Sequence, residues 1–294
     1  MTHLQIGNAE KLLAAHSFKT MNYEQDNKLF YGVELELEVK SPGRYVPLKY
    51  STGVQEAIDA VGARLAKSAI LKPEGSIDDG FEIVTVPATL DYHREILWGR
   101  FFDEEAKLMK ASPRTGMHVH FSRNALSVKQ LAKAMIFIHD PDHQIFLTKI
   151  AGRTVSPTAW WCRIKTKDKS AIRTEEGQKR IVDSEYTSDR GAMTISTHNQ
   201  GRSVECRIFQ AVTTYAGVMQ ALEFLDALIK YCGECGETVE DLSYKTFVHW
   251  ASSFSNKKEY PHLFANLVKK GLATDKLITL DDIKNFVKTF RKVA

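Results

Sequence analysis

Eight residues of this 294-residue chain carry most of its chemical information: Thr115-Gly116-Met117-His118-Val119-His120-Phe121-Ser122. The segment is apolar and β-favouring, and in a strand residues i and i+2 point to one face. His118 and His120 therefore face the same space, as metal ligands or as partners for phosphate. A His-x-His alone is a weak signal, so its meaning depends on what else faces that space.

A second strand answers this. Tyr31-Gly32-Val33-Glu34-Leu35-Glu36-Leu37-Glu38-Val39 alternates strictly, with Glu34, Glu36 and Glu38 on one face and Val33, Leu35, Leu37 and Val39 on the other. Same-face carboxylates lie about 6.6 Å apart, and at an effective dielectric of ~20 they repel by about 2.5 kcal/mol when shielded from water. A wet acidic face is the plain alternative. Glu is depleted in strands, however, and a divalent cation bound by oxygen turns the repulsion into a site. Two further strands carry acids in similar settings. These are Gly80-Phe81-Glu82-Ile83-Val84-Thr85 and Ser203-Val204-Glu205-Cys206-Arg207-Ile208-Phe209, where Glu205 and Arg207 share a face. A simple ion pair is the alternative for the last two.

The elements that must position these groups read as mixed α+β. Strands are expected over Phe30–Val39, Ala69–Lys72, Gly80–Val86, Met117–Ser122 and Ser203–Phe209. Helices are expected near Glu10–His16, over Thr52–Ala69 and Asp91–Ala111, and over Ser127–Ile150 with a break at Asp140-Pro141. A long apolar helix is expected over Thr214–Tyr231. Residues 151–200 read as irregular. The tail from Val239 to Ala294 reads as helical, its last helix starting at Thr279 with Asp282 three positions on.

Composition narrows the class. A net charge of +4 with dispersed basic residues gives no nucleic-acid footprint. The densest basic run, Lys165-Thr166-Lys167-Asp168-Lys169, is mixed with acid and reads as a solvated loop. No stretch reaches the ~18 apolar residues of a membrane span. Met1 to Thr20 lacks the apolar core of a signal peptide. Cys162, Cys206, Cys232 and Cys235 form no dense framework, so a reduced, cytoplasmic setting fits. Cys232-Gly233-Glu234-Cys235 has no second pair to complete a zinc site and reads as a helix end.

Taken together, these pieces resemble the carboxylate–amine ligases of the glutamine synthetase and glutamate–cysteine ligase fold, and most of all their smaller amidoligase branch. Gly32-Val33-Glu34-Leu35-Glu36 resembles the Gly-x-Glu-x-Glu strand, and Gly116-Met117-His118-Val119-His120-Phe121-Ser122 the Gly-Met-His-x-His-x-Ser strand. Val204-Glu205-Cys206-Arg207 resembles the Glu-x-Arg strand, and Glu74-Gly75-Ser76 before Glu82 is similar to an Asp-Gly-Ser turn. The order is that of the family, over roughly residues 28–230.

The resemblance implies a curved, mainly antiparallel sheet, a half-barrel with helices on its outer face. Residues 28–230 would form the catalytic domain and 239–294 a helical extension, with 1–27 as an N-terminal segment. It implies ATP and Mg²⁺ (or Mn²⁺) as cofactors, and small-molecule or peptide carboxylate and amine substrates in a phage or bacterial setting. Glu34, His118 and Glu205 would hold one metal, and Glu36 with Glu82 a second. His120 and Arg153 would contact the nucleotide phosphates. Arg207, with Arg202, would stabilise the transferring phosphoryl, and Glu82 would act near the acyl acceptor. The match has gaps: the chain lacks the separate N-terminal domain of full glutamine synthetases, Glu74 replaces an Asp, and Glu38 has no counterpart. A surface role at a helix end is the alternative for Arg153. Trp160-Trp161 reads as core or subunit contact in preference to a nucleotide platform.

Two other readings remain. A cupin-like metal enzyme also uses His-x-His, but it wants an acid soon after, and none follows His120 before Asp140. The other is a catalytically silent nucleotide-binding protein on the same fold.

Overall fold

The computed structural model describes residues 28–40, 65, 68–73, 77, 80–98, 101–102, 105–186, 190–197, 200–236, 238 and 240–274. The expected helices near 10–16 and 279, most of that over 52–69, and the turn at Glu74-Gly75-Ser76 lie outside the described residues.

The alternating segments do become strands. They are β1 (Tyr31–Val39), β2 (Ala69–Pro73), β3 (Gly80–Thr85), β4 (Met109–Lys110), β5 (Gly116–Ser122), β6 (Met193–Ile195) and β7 (Ser203–Gln210). They form one open sheet in the order β2-β3-β1-β5-β7-β6, with β4 pairing the end of β1. Every named pairing is antiparallel. The helices are α1 (Val128–His139), α2 (Gln144–Ala151), α3 (Glu175–Asp183), α4 (Tyr215–Glu234), α5 (Tyr244–Ala251), α6 (Phe254–Glu259) and α7 (Pro261–Lys269). The result is an α+β fold. No helix among the described residues is long and apolar enough to cross a membrane.

The core lies between the apolar face of the sheet and the helices. Val33, Leu35, Leu37, Val119 and Val204 are fully buried together with Leu222, Phe224 and Leu228 of α4. Phe209 of β7 meets Phe224 edge to face, and the Tyr31 hydroxyl donates to Asp226 of α4 at 2.6 Å. This side of the sheet is consumed by packing, which leaves the opposite face of β1, β3, β5 and β7 for chemistry.

Three expectations change. Asp91–Ala111 is not one helix. A single α-turn at Leu90–Tyr92 runs into a π-helical turn at His93–Leu97, and Met109–Lys110 pairs with Glu38–Val39. The π-turn lets the Trp98 indole donate to His93 Nδ1 at 3.1 Å while His93 Nε2 meets the Tyr31 carbonyl at 2.8 Å. Tertiary pairing overrides the helical periodicity. The 151–200 segment is less irregular than expected, because it contains α3 and β6. Its basic run is not a free loop either. Lys167 pairs with the fully buried Glu185, and Lys169 with Asp140 at 2.6 Å. Ser127 opens α1 with a full capping box to Gln130, as the spacing suggests.

His93 and His139 set an acid limit on stability. Burial pushes each ring down to about 4 from 6.5. His139 Nδ1 accepts from the Lys165 N–H at 3.0 Å and its Nε2 meets the Met193 carbonyl at 2.9 Å, a pairing suited to a neutral ring. Between pH 6.5 and 4 the unfolded chain takes up protons that the native state refuses. Stability is therefore full above 6.5 and falls as pH drops, by about 3 kcal/mol per ring. Urea unfolding at pH 7 and pH 4.5 should show the loss, and a His93→Gln or His139→Gln chain should show a shallower slope. A flat profile would remove this explanation.

Candidate metal and phosphate site

Strand register assembles the polar face. Glu34 lies opposite His118, and Glu36 opposite Glu82. His120 lies opposite Glu205 and Gly32. Most of the acidic face is withdrawn from water: Glu36, Glu82 and Glu205 are 9%, 7% and 8% exposed and His118 and His120 are similarly buried, while the Glu34 side chain is 23% exposed.

The side chains converge. His118 Nδ1 is 3.2 Å from Glu34 Oε2 and 3.8 Å from Glu205 Oε1, while its Nε2 is 4.0 Å from Glu36 Oε1. His120 Nε2 is 3.2 Å from Glu34 Oε1. Two overlapping sets of donor atoms each fall within 4.8 Å: Glu34, His118 and Glu205, and Glu36, Glu82 and His118. Neighbouring ligands around a six-coordinate ion with bonds of about 2.1 Å lie ~3.0 Å apart, so small movements would close either set on a cation. The donors, carboxylates with one imidazole, suit Mg²⁺ or Mn²⁺. A neutral imidazole has one lone pair, so His118 can serve only one of the two sets at a time. Each set has a single histidine, which counts against the cupin-like alternative.

Charge is balanced internally. Burial raises the Glu34 carboxyl, but the imidazoles of His120 and His118 outweigh it and hold Glu34 well below the usual carboxylate range. Burial likewise opposes ionisation of Glu205, and His120, Arg207 and His118 reverse that. Burial lowers His120, yet Glu34 and Glu205 raise it overall. Both carboxylates are thus held ionised by the imidazoles of His120 and His118, and Glu205 also by the Arg207 guanidinium, a field that also suits phosphate oxygens.

A β-bulge shapes the positive end. Between the pairs Met117–Phe209 and Val119–Cys206, β7 places two residues, Arg207 and Ile208, against the single His118. Arg207 shares the polar face with Glu205 by alternation, and there its Nη1 pairs with Glu205 Oε1 and its Nε reaches the Trp161 carbonyl at 3.4 Å. Phe209 turns into the core. Arg202 sits exposed in the turn before β7.

Arg153 follows α2, whose C-terminus is turned by Gly152 in the left-handed region at φ 75°. Its Nε donates to the Ile208 carbonyl at 3.2 Å and its Nη2 to the Arg207 carbonyl. These donors face the backbone of this chain and not an open phosphate pocket. Glu38 belongs to a structural network: it accepts from the Ser112 hydroxyl at 2.7 Å and pairs with Lys110 and Arg114.

Sequence reasoning missed three partners. Lys72, opposite Glu82 on β2, is 3.8 Å from its carboxylate. The Gly116 N–H donates to Glu36 Oε2 at 2.6 Å, and the Trp161 carbonyl accepts from Arg207. The last two are backbone groups, which no residue pattern advertises. Trp160, 60% exposed, carries the Arg190 guanidinium 5.1 Å over its ring, so it is not core. Burial raises the thiols of Cys232 and Cys235, the pair lies at the end of α4, and Lys133 donates to the carbonyls of Cys235 and Gly236 there.

Fold and site together define an α+β protein whose open antiparallel sheet holds a buried carboxylate–imidazole cluster on its polar face. No family model and no curated protein matches the sequence. Among solved structures, the chain is similar to one described as a novel glutamine synthase homolog. The identity is 15%, the TM-score 0.39, and the match covers 89% of this chain and 69% of that one. A likeness at that level carries no weight for activity.

Proposed function

We propose that the protein is an ATP- and Mg²⁺-dependent carboxylate–amine ligase of the amidoligase type on a glutamine synthetase-like half-barrel. Phosphorylation of a carboxylate by ATP, followed by attack of an amine on the acyl phosphate, would give an amide, ADP and phosphate. The observation that carries this reading is the convergence of Glu34, Glu36, Glu82, Glu205 and His118 beside His120 and Arg207. Phosphoryl transfer needs little covalent help but needs positioned charge, which this face supplies.

Glu34, His118 and Glu205 would hold one divalent ion, and Glu36 with Glu82 the other. Such ions neutralise the phosphates when bound. His120, raised by Glu34 and Glu205, would donate to phosphate oxygens, and Arg207 would face charge developing on the transferring group. Glu82 would lie nearest the acceptor, with Lys72 holding its carboxylate.

Calorimetry with a non-hydrolysable ATP analogue and Mg²⁺ tests the assignment. Wild-type protein should bind it and lose binding in EDTA, and Glu34→Ala or His118→Ala should weaken it about a hundredfold. Unchanged affinity in both variants would show that these residues are not the ligands. Release of ADP with a carboxylate and an amine separates a ligase from a silent nucleotide-binding protein.

A further inference from the structure

Gly116 begins the row Gly116–His118–His120 on the polar face of β5, yet it has no side chain to contribute. A Cβ built there would lie 2.8 Å from Arg153 Nη1 and 3.3 Å from its Cζ. The guanidinium of Arg153 therefore fills the place that a residue-116 side chain would take. It reaches there from the end of α2, on the far side of the connection that leads to β6 and β7. The same guanidinium donates to the carbonyls of Arg207 and Ile208, the two residues that form the β7 bulge opposite His118.

We propose that Arg153 is a positioning residue: its planar fork clamps the two bulge carbonyls and so fixes the direction in which Arg207 and Glu205 face the acidic cluster. The bulge has one residue more than its partner strand, and nothing in a regular ladder holds that extra residue. Arg207 N–H is taken by the carbonyl of Ala192, the residue just before β6, so its amide side is anchored. Its carbonyl side is anchored by Arg153. Fixing the two peptides that flank its Cα directs the Arg207 side chain toward Glu205 Oε1 and the Trp161 carbonyl.

Three neighbours explain why the clamp is an arginine. Two donors at fork spacing are needed, which an ammonium on a flexible stem does not supply. The group must be held flat over Gly116, whose N–H is itself committed to Glu36 Oε2. A positive charge beside Glu36 also offsets part of the acidic cluster, and the two attract one another. Gly152, in the left-handed conformation and with Gln210 Cβ 3.5 Å from where its own Cβ would be, seats the end of α2 directly on β7.

The inference rests on the ligase reading for its purpose, but its geometry is testable without it. The experiment is NMR of the full chain labelled at arginine Nε, with the Arg207 signal assigned through Arg207→Lys. Arg153→Ala should shift or broaden the Arg207 Nε–H signal, and Arg153→Lys should do the same despite keeping the charge. Millimolar guanidinium should restore the signal in Arg153→Ala, which loss of general stability would not permit. In parallel, Mn²⁺ with a non-hydrolysable ATP analogue should bind about tenfold to a hundredfold more weakly to both variants. An unmoved Arg207 signal in a folded Arg153→Ala or Arg153→Lys chain overturns the clamp. So does a lysine variant that matches wild type in both measurements. Wild-type protein that binds no Mn²⁺–nucleotide overturns the ligase reading instead, and the NMR comparison still decides the clamp.

Discussion

Arg207→Ala is expected to lower ADP formation about a thousandfold, the scale on which an arginine facing a transferring phosphoryl group acts. The same substitution should leave Mn²⁺ binding unchanged or tighter. Arg207 pairs with Glu205 Oε1, so removing it takes a positive charge away from one of the proposed ligands and frees that oxygen for a cation. Opposite effects on turnover and on ion binding are the signature. A general loss of structure would weaken both. Titration of Mn²⁺ by electron paramagnetic resonance, alongside an ADP-release assay, reads the two quantities on one preparation. Turnover within threefold of wild type would remove Arg207 from the mechanism.

Glu223→Ala is expected to cost about 3–5 kcal/mol of stability, as removal of one member of a buried charged network does. Glu223 lies on α4 with its side chain fully buried. Its Oε2 accepts from the backbone N–H groups of His262 and Leu263, at 2.8 and 2.9 Å. Its Oε1 meets His262 Nδ1 at 2.9 Å and Arg94 at 3.4 Å. The two amides belong to the first turn of α7, whose N-cap residue Tyr260 makes no side-chain cap. A carboxylate from another helix thus caps α7 and matches the positive end of its dipole. Tyr260 contributes beside it, donating to Asp226 at 2.7 Å, the carboxylate that Tyr31 of β1 also uses. Glu223→Gln keeps an acceptor for the two amides and should lose only about 1–2 kcal/mol. Urea unfolding of both variants checks the order, and hydrogen exchange should show the amides of α7 opening first. A Glu223→Ala chain as stable as wild type would mean that water replaces the cap.

Neither effect is equally visible in the residues themselves. The alternation in β1 places Glu34 and Glu36 on one face before any fold is known, because a strand's period is two. The same rule places His118 with His120, and Glu205 with Arg207. What alternation does not carry is the distance between strands. Glu36 meets Glu82, and Glu34 meets His118, only through the register of β1 with β3 and β5. Register is set by the apolar face seeking the helices, through contacts far apart in sequence. The bulge at Arg207–Ile208 is likewise silent in the strand pattern, since an extra residue in a ladder leaves no residue-type signal.

Asp91–Ala111 shows the limit from the other side. Its apolar spacing is helical, yet Trp98 and Phe101 are buried and Met109 joins the sheet, because those contacts outweigh a propensity of tenths of a kcal/mol per residue. Arg153 and Glu223 are further cases. Arg153 looks like an ordinary surface arginine just past a helix and Glu223 like an ordinary charged helix residue, yet each acts on a partner more than 35 residues away through backbone carbonyls or amides, which every residue possesses.

The chain's own sequence therefore determined which residues share a face, because strand and helix periods are local properties of the backbone. It also determined the chemical types offered there: carboxylates, two imidazoles and a guanidinium. Tertiary structure alone decided that these faces meet across β3, β1, β5 and β7, that Glu36, Glu82 and Glu205 are buried and His118 stands between two sets of acids, and that Arg153 supports the bulge behind Arg207. Those facts depend on packing and register between segments distant in the chain, where the free energy belongs to pairs of elements and to no single stretch of residues.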